Sequence, residues 1–373
     1  MNSNLHKKIL ANGRKKIGFS QGLLDISSIS LHLQNVFTNS IKIKKNIQNV
    51  YATKKYKSGD RIEQKIINNG IVVDFGEIYC TKGCFQMGVS KSHSFEGLHE
   101  NKVCLTRDFW ISETKVTMNL WDSIVGSLPI FFLSDNKNTV YKNQKDTRAI
   151  TNISWYDAIL FCNKLSDFLG LESYYNIGDY DFFDTYKSTL HDGEYNVPNV
   201  SFNINANGYR LPTDAEWEYA AKAGDGKRAT YDFSGSDNYK DVGARSIQDV
   251  ILKKLKPNDW GIYDMSNLYF EYCQDVFVKD LYRKRGFGVD FYQAKYAKIN
   301  GVQSHNTQKN DVFFDPIEID ETPNTFWDSV VRGGGTKEKY AKIVSKRMYS
   351  DYNSESGYNP SEYSSIRLVR NAF

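Results

Sequence analysis

Cys80, Cys84, His93 and His99 fall close together and are the residues whose types could hold a metal ion. Thiolate sulfur and imidazole nitrogen are the ligands of a tetrahedral zinc site. The spacing argues against one, because the gap from Cys84 to His93 is too short for a finger helix and Cys84 borders a stretch that reads as buried strand. Both cysteines are therefore expected as strand or loop residues, with a Cys80–Cys84 bridge left open. The five cysteines (Cys80, Cys84, Cys104, Cys162, Cys273) are odd in number and irregularly spaced, which points to a reducing compartment or a single bridge. Cys162 sits on an apolar helical face and reads as a core thiol, since nothing near it would lower its pKa. No Ser, His and Asp arrangement and no phosphate loop can be assigned; RGFGVD at 285–290 has too few glycines in too loose a context. What remains is a surface. Residues 347–365, RMYSDYNSESGYNPSEYSS, carry Tyr349, Tyr352, Asn353, Tyr358 and Tyr363 among Ser, Asn and Gly, a paratope-like mixture in which rigid rings give contact area and small polar residues adapt. The same composition also suits an ordinary polar loop before a last strand.

Three capped helices should position these residues. In GYRLPTDAEWEYAAKAG (208–224), Thr213 is an N-cap, Glu216 completes a capping box, Trp217, Ala220 and Ala221 form one side, and Gly224 can take the left-handed conformation that stops the helix. Pro212 biases Leu211 toward an extended entry. In ISWYDAILFCNKLSDFLG (153–170), Ser154 caps, Asp157 closes the box, Ala158, Phe161, Cys162 and Leu165 make the apolar face, and Gly170 ends the helix. Thr117 caps a third, with Val116 and Trp121 as a hydrophobic staple. IVVDFGEIYC and CFQMGVS read as strands, the segment between Leu171 and Asn207 should hold a ring-rich hairpin, and Ile262 and Met265 should point inward.

These segments together resemble the formylglycine-generating-enzyme, or sulfatase-modifying-factor, family. The resemblance rests on F-x-MG at Phe85, Met87 and Gly88, on VT beside the Thr117 helix with Lys115 in place of the usual Glu, on SWYDAILFC, on RLPTDAEWEYAA, on KPNDWGIYDMSNLYFEY, and on RGG and IRLVR at the end, all in order. It implies an α+β, C-type-lectin-like fold, with a mixed twisted sheet, few helices and much ordered loop. The implied division is a basic arm at 1–70 and a family domain at 71–373, with insertions near 171–207 and 279–326. Active members of the family use copper, held by a cysteine pair a few residues after the RGG motif, to oxidise a substrate cysteine; soft sulfur suits Cu(I). The corresponding stretch, Gly335–Met348, has no cysteine, and none follows Cys273. Formylglycine generation is thus not expected. An iron-binding H-x-x-x-H set of the related sulfoxide synthases is also missing among His6, His32, His93, His99, His191 and His305. Some relatives use calcium, for which Asp241, Val242 and Glu271 are the candidate ligands; otherwise no cofactor is expected. The family's Gly-Asn step is Asn267-Leu268 here and its two tryptophans are Phe270 and Tyr272, which leaves Glu271 as a core or loop carboxylate.

The expected function is accordingly non-catalytic: a bacterial pseudoenzyme that binds a protein or peptide through its C-terminal loops, as in lectin-fold proteins diversified by retroelements. The alternative is an enzyme of the family with altered oxidative chemistry. Residues 1–70 hold thirteen Lys and Arg against Asp25, Asp60 and Glu63, a net +10 that leaves −6 for the rest of a chain whose total is +4. Such an arm can meet nucleic acid or an anionic membrane, or remain a solvated extension. Neither a signal peptide nor an 18-residue apolar run is present, so the sequence as written reads as cytoplasmic, or surface-exposed or secreted if a leader was removed.

Overall fold

The computed structural model describes residues 55–68, 70–88, 101–129, 145, 147–179, 181–182, 200–225, 231–244, 251–276, 312–314, 329–334, 348–349 and 364–373. A compact unit runs from Lys57 to Phe373. Its first strand, β1 (Arg61–Asn68), pairs antiparallel with β2 (Ile71–Cys80), so the boundary expected at Gly70 falls at the tip of a hairpin that belongs to this unit. Most of the expected basic arm lies outside the described residues.

Among the described residues the strands are divided among four small sheets. In the largest, β1 and β2 are followed by β5 (Phe109–Ser112), the C-terminal β14 (Val369–Asn371) and β8 (Tyr209–Arg210). The IRLVR segment thus closes the fold by inserting between two earlier strands. A second sheet joins β3 (Gly83–Met87) to β4 (Asn101–Leu105), with β10 (Val312–Phe314) parallel on the far side of β4. The third has the order β12 (Met348–Tyr349), β11 (Ser329–Arg332), β9 (Phe270–Val276), β13 (Ser364–Ser365). The fourth pairs β6 (Tyr175–Ile177) with β7 (Val200–Phe202), the hairpin expected between Leu171 and Asn207.

Four helices occur among the described residues: α1 (Met118–Val125), α2 (Trp155–Leu169), α3 (Asp214–Ala221) and the single turn α4 (Tyr239–Val242). Their starts follow from their caps. Thr117 accepts from the Leu120 N–H, and both boxes are complete, Ser154 with Asp157 and Thr213 with Glu216. Each such cap stabilises its helix by about 1 kcal/mol. Gly170 closes α2 in the left-handed region at φ 68°. Gly224 is left-handed as expected, but Ala223 before it is too, at φ 55°.

Helices α1 and α2 bury their apolar faces in one core cluster, where the Trp121 and Phe161 rings stack at 4.8 Å between centroids. Helix α3 lies in a second cluster with Ile78, Phe85, Met265 and Cys273. All eight of its residues are buried, including Asp214, Glu216 and Glu218. The helix therefore has no solvent face, and its acids need partners inside the protein.

Candidate functional site

Glu216, Asp214 and Glu218 of α3 find those partners in two arginines, one just before the helix and one at the RGG motif. Arg210, from the RLPT entry, gives Nη1 to Glu216 Oε2 at 2.6 Å and Nη2 to Oε1 at 2.7 Å, while Oε2 also accepts the Thr213 N–H. Glu216 is thus a helix cap and half of a fork-like ion pair at once. Arg332, the last residue of β11, lies over the Trp217 ring at 5.1 Å, with Nε 3.2 Å from Asp214 Oδ1 and Nη2 on Glu218. Glu218 also takes Lys222 Nζ at 2.8 Å and the Gly88 N–H at 2.7 Å. Burial alone would raise the Glu218 carboxyl, but Lys222 and Arg332 outweigh it and hold it at about 2.

Glu271, on β9, is the second hub. Oε2 accepts from Trp217 Nε1 at 2.7 Å and Arg367 Nε at 2.8 Å; Oε1 accepts from Arg367 Nη2 at 2.9 Å and Lys115 Nζ at 2.8 Å. Those four donors fill the four acceptor positions of an ionised carboxylate. Burial opposes the charge, and the two cations overcome it, so this carboxyl also sits at about 2. Lys115 donates as well to the Asp264 carbonyl at 2.5 Å; burial lowers its pKa, only partly offset by Glu271.

This geometry bears directly on the calcium candidates. Glu271 has no lone pair left for a cation. Asp241 accepts from Ser236 Oγ at 2.7 Å and Asn238 Nδ2 at 3.3 Å, both just ahead of α4, and the Val242 side chain is buried with Phe233 and Tyr239. Among the described residues no group of three His, Cys, Asp or Glu is placed to hold a metal. Of the Cys and His set, Cys84 is bonded to Cys104, Cys80 is a buried free thiol, and His93 and His99 lie outside the described residues. The Cys80–Cys84 bridge is thereby replaced by a Cys84–Cys104 one.

Arg332 of the first hub leads into the RGG glycines, and the expected binding stretch follows in the sequence. Gly333 follows Arg332 at φ 69°, and a Cβ there would run into the Met265 carbonyl and the Trp217 ring; at Gly334 it would meet the backbone of Tyr269 and Phe270. Only glycine lets β11 end this close to α3 and β9. Strand β12 pairs with β11 through Val331↔Met348 and Val330↔Tyr349, and β13 pairs parallel with β9 through Ser364↔Phe270 and Ser365↔Glu271. Tyr349 is therefore on one edge strand and Ser364 on the opposite edge strand. Three strand spacings put those edges about 14 Å apart, a fraction of the roughly 45 Å that the connecting residues 350–363 can span. Tyr352, Asn353, Tyr358 and Tyr363 belong to that connection and lie outside the described residues.

Sequence reasoning missed the buried ion pairs. Periodicity assigns charged residues to a solvent face, so nothing in it flags Glu218 or Glu271 as partners of Arg332 and Arg367. The one signal was Lys115 at a position where a carboxylate was expected.

Residues 73–372 match the model of the family described as sulfatase-modifying factor enzyme 1-like domain. Chaperone protein LppX of Paenibacillus barcinonensis is 32% identical over 196 residues, 47% of this chain and 65% of LppX, so the chain spans slightly under two thirds of that relative. Among solved structures, Treponema denticola variable protein 1 aligns with TM-score 0.56 at 23% identity, covering 83% of this chain and 99% of its own. CarF aligns with TM-score 0.50 at 20% identity, covering 80% and 98%. Both likenesses show the fold.

Proposed function

Because the chain belongs to the sulfatase-modifying factor enzyme 1-like family, we propose that it is a ligand-binding protein on that family's lectin-type fold, recognising a protein or peptide through residues 350–363. The observation that carries this reading is where the described residues flanking that segment lie: Tyr349 and Ser364 are on opposite edges of one sheet, whose inner strands carry charged side chains occupied with other protein groups. A scaffold of that kind tolerates change in the connection without loss of the core beneath it. The composition of 347–365, rich in Tyr, Ser, Asn and Gly, suits contact with a protein surface. One relative is named a chaperone protein, a name in keeping with a protein or peptide ligand. The absence of cysteine beyond Cys273 supports the non-catalytic reading over an oxidising one.

The test is a selection of peptides from a displayed library on the immobilised full chain. Peptides enriched on the wild type should be lost on a variant carrying Tyr352→Ala, Asn353→Ala, Tyr358→Ala and Tyr363→Ala that melts within about 2 °C of it. Equal enrichment on both proteins refutes the assignment. So does one copper or iron ion per purified chain together with oxidation of a thiol substrate, which would restore the enzymatic reading.

A further inference from the structure

The five cysteines divide into two groups that their spacing did not separate. Cys84 on β3 and Cys104 on β4 stand directly opposite one another, Cα atoms 3.9 Å apart, and are joined as a disulfide. Cys84 is exposed, whereas Cys104 is 5% exposed. Cys80, Cys162 and Cys273 are free thiols with 0% exposure. Burial pushes each of these thiols upward, so none supplies a thiolate near neutral pH. The one cysteine that reagents can reach, Cys84, is thus a member of the bonded pair, and the thiols that could scramble the bond are sealed in the core.

The position of the bond ties it to the rest of the fold. Just past Cys84, Phe85 and Met87 enter the core around α3, the Gln86 carbonyl accepts Lys222 Nζ at 2.6 Å, and the Gly88 N–H reaches Glu218. On the other side of the bond, Cys104 is the register partner of Phe314 on β10, a strand of three residues held parallel to β4. The disulfide therefore links the strand that touches the Glu218 hub to the strand that carries β10. Disulfides form and persist in oxidising compartments and are rare in the cytosol.

We infer that Cys84–Cys104 is an exchangeable disulfide, acquired in an oxidising compartment and opened by dithiol attack at Cys84, that clamps the β3–β4 pair. In closing, the two thiols give two protons and two electrons to the disulfide of a thiol oxidoreductase, which leaves as a dithiol. In opening, a thiolate of a reducing dithiol bonds to Cys84 Sγ, and the Cys84–Cys104 bond breaks with its electron pair on the Cys104 sulfur, which takes up a proton. The second thiol of the reductant then displaces Cys84 and leaves as the cyclic disulfide. The buried Cys104 sulfur is the leaving group because Cys84 is the accessible one.

Thiol counting on the full chain, exported to an oxidising compartment and purified without reductant, tests the inference. Alkylation after denaturation should modify three cysteines, rising to five after prior reduction, with the Cys84 and Cys104 peptides linked. A dithiol added to the folded chain should release those two thiols alone. It should also lower the melting temperature by on the order of 5 °C and speed hydrogen exchange in β3 and β4. A Cys84→Ser, Cys104→Ser variant should show no response to the reagent. Alkylation of all five cysteines without reduction, or a link involving Cys80, Cys162 or Cys273, overturns the proposal. A bond that the dithiol opens only after unfolding overturns the assignment of Cys84 as the point of attack.

Discussion

Replacing Glu271 by Gln keeps the size of the side chain but removes the negative charge between Arg367, Lys115 and the Trp217 indole. In the folded protein these groups donate at 2.7–2.9 Å to a carboxylate that has no exposed surface. The amide offers one oxygen and turns its own N–H donors toward two of the former partners, so two buried cations lose their counter-charge. Breaking a buried ion pair by removing one member costs about 3–5 kcal/mol. For a unit of roughly 300 residues the unfolding entropy is about 0.6 kcal/mol per degree, so Glu271→Gln should lower the melting temperature by about 6 °C. Lys115→Met is the matched control. It removes one cation, leaves Glu271 with Arg367 and Trp217, and takes a donor from the Asp264 carbonyl, for a loss of about 1–2 kcal/mol and 2–3 °C. Calorimetry on the full chain distinguishes these outcomes. If Glu271→Gln melts within 2 °C of wild type, or Lys115→Met is the more damaging change, Glu271 is not the hub described here.

Acid should unfold the protein through the same hubs. Glu218 and Glu271 sit at about 2 in the folded state, below the roughly 4.3 of an unfolded chain, so their contribution is present above pH ~4.3 and is lost as the pH falls toward 2. Urea titrations at successive pH values should show a loss on the order of 3 kcal/mol for each carboxylate across that window, and a shallower slope in Glu271→Gln. Gly333→Ala combines a left-handed backbone with a Cβ that meets Met265 and Trp217, and should destabilise by more than about 2 kcal/mol in the same titration; Gly70→Ala, at φ 80° with open space around it, should cost about 1 kcal/mol.

The helix starts were legible in the sequence because a cap is a local event: Thr213 and Glu216 bond within one turn whatever surrounds them. The collinear motifs gave the fold for a different reason, since RGG and IRLVR each contribute an arginine that a distant carboxylate needs, while the RLPT arginine pairs within its own motif. What could not be read was the pairing itself. Arg332 meets Glu218, and Arg367 meets Glu271, only after strands far apart in sequence have been laid side by side. The same limit hid the disulfide, because Cys84 and Cys104 become neighbours through the register of β3 on β4 and not through any spacing rule. The candidate loop was legible as composition, and the fold adds its two anchor points at Tyr349 and Ser364.

Hydrogen exchange of the full chain with and without a saturating enriched peptide maps the contact surface without altering a residue. Added protection should be confined to 335–363 and the adjoining ends of β9 and β11, with exchange in α2 and the β6–β7 hairpin unchanged. Protection centred on that hairpin or on the β1–β2 tip, with 350–363 unaffected, would contradict recognition through the C-terminal loops.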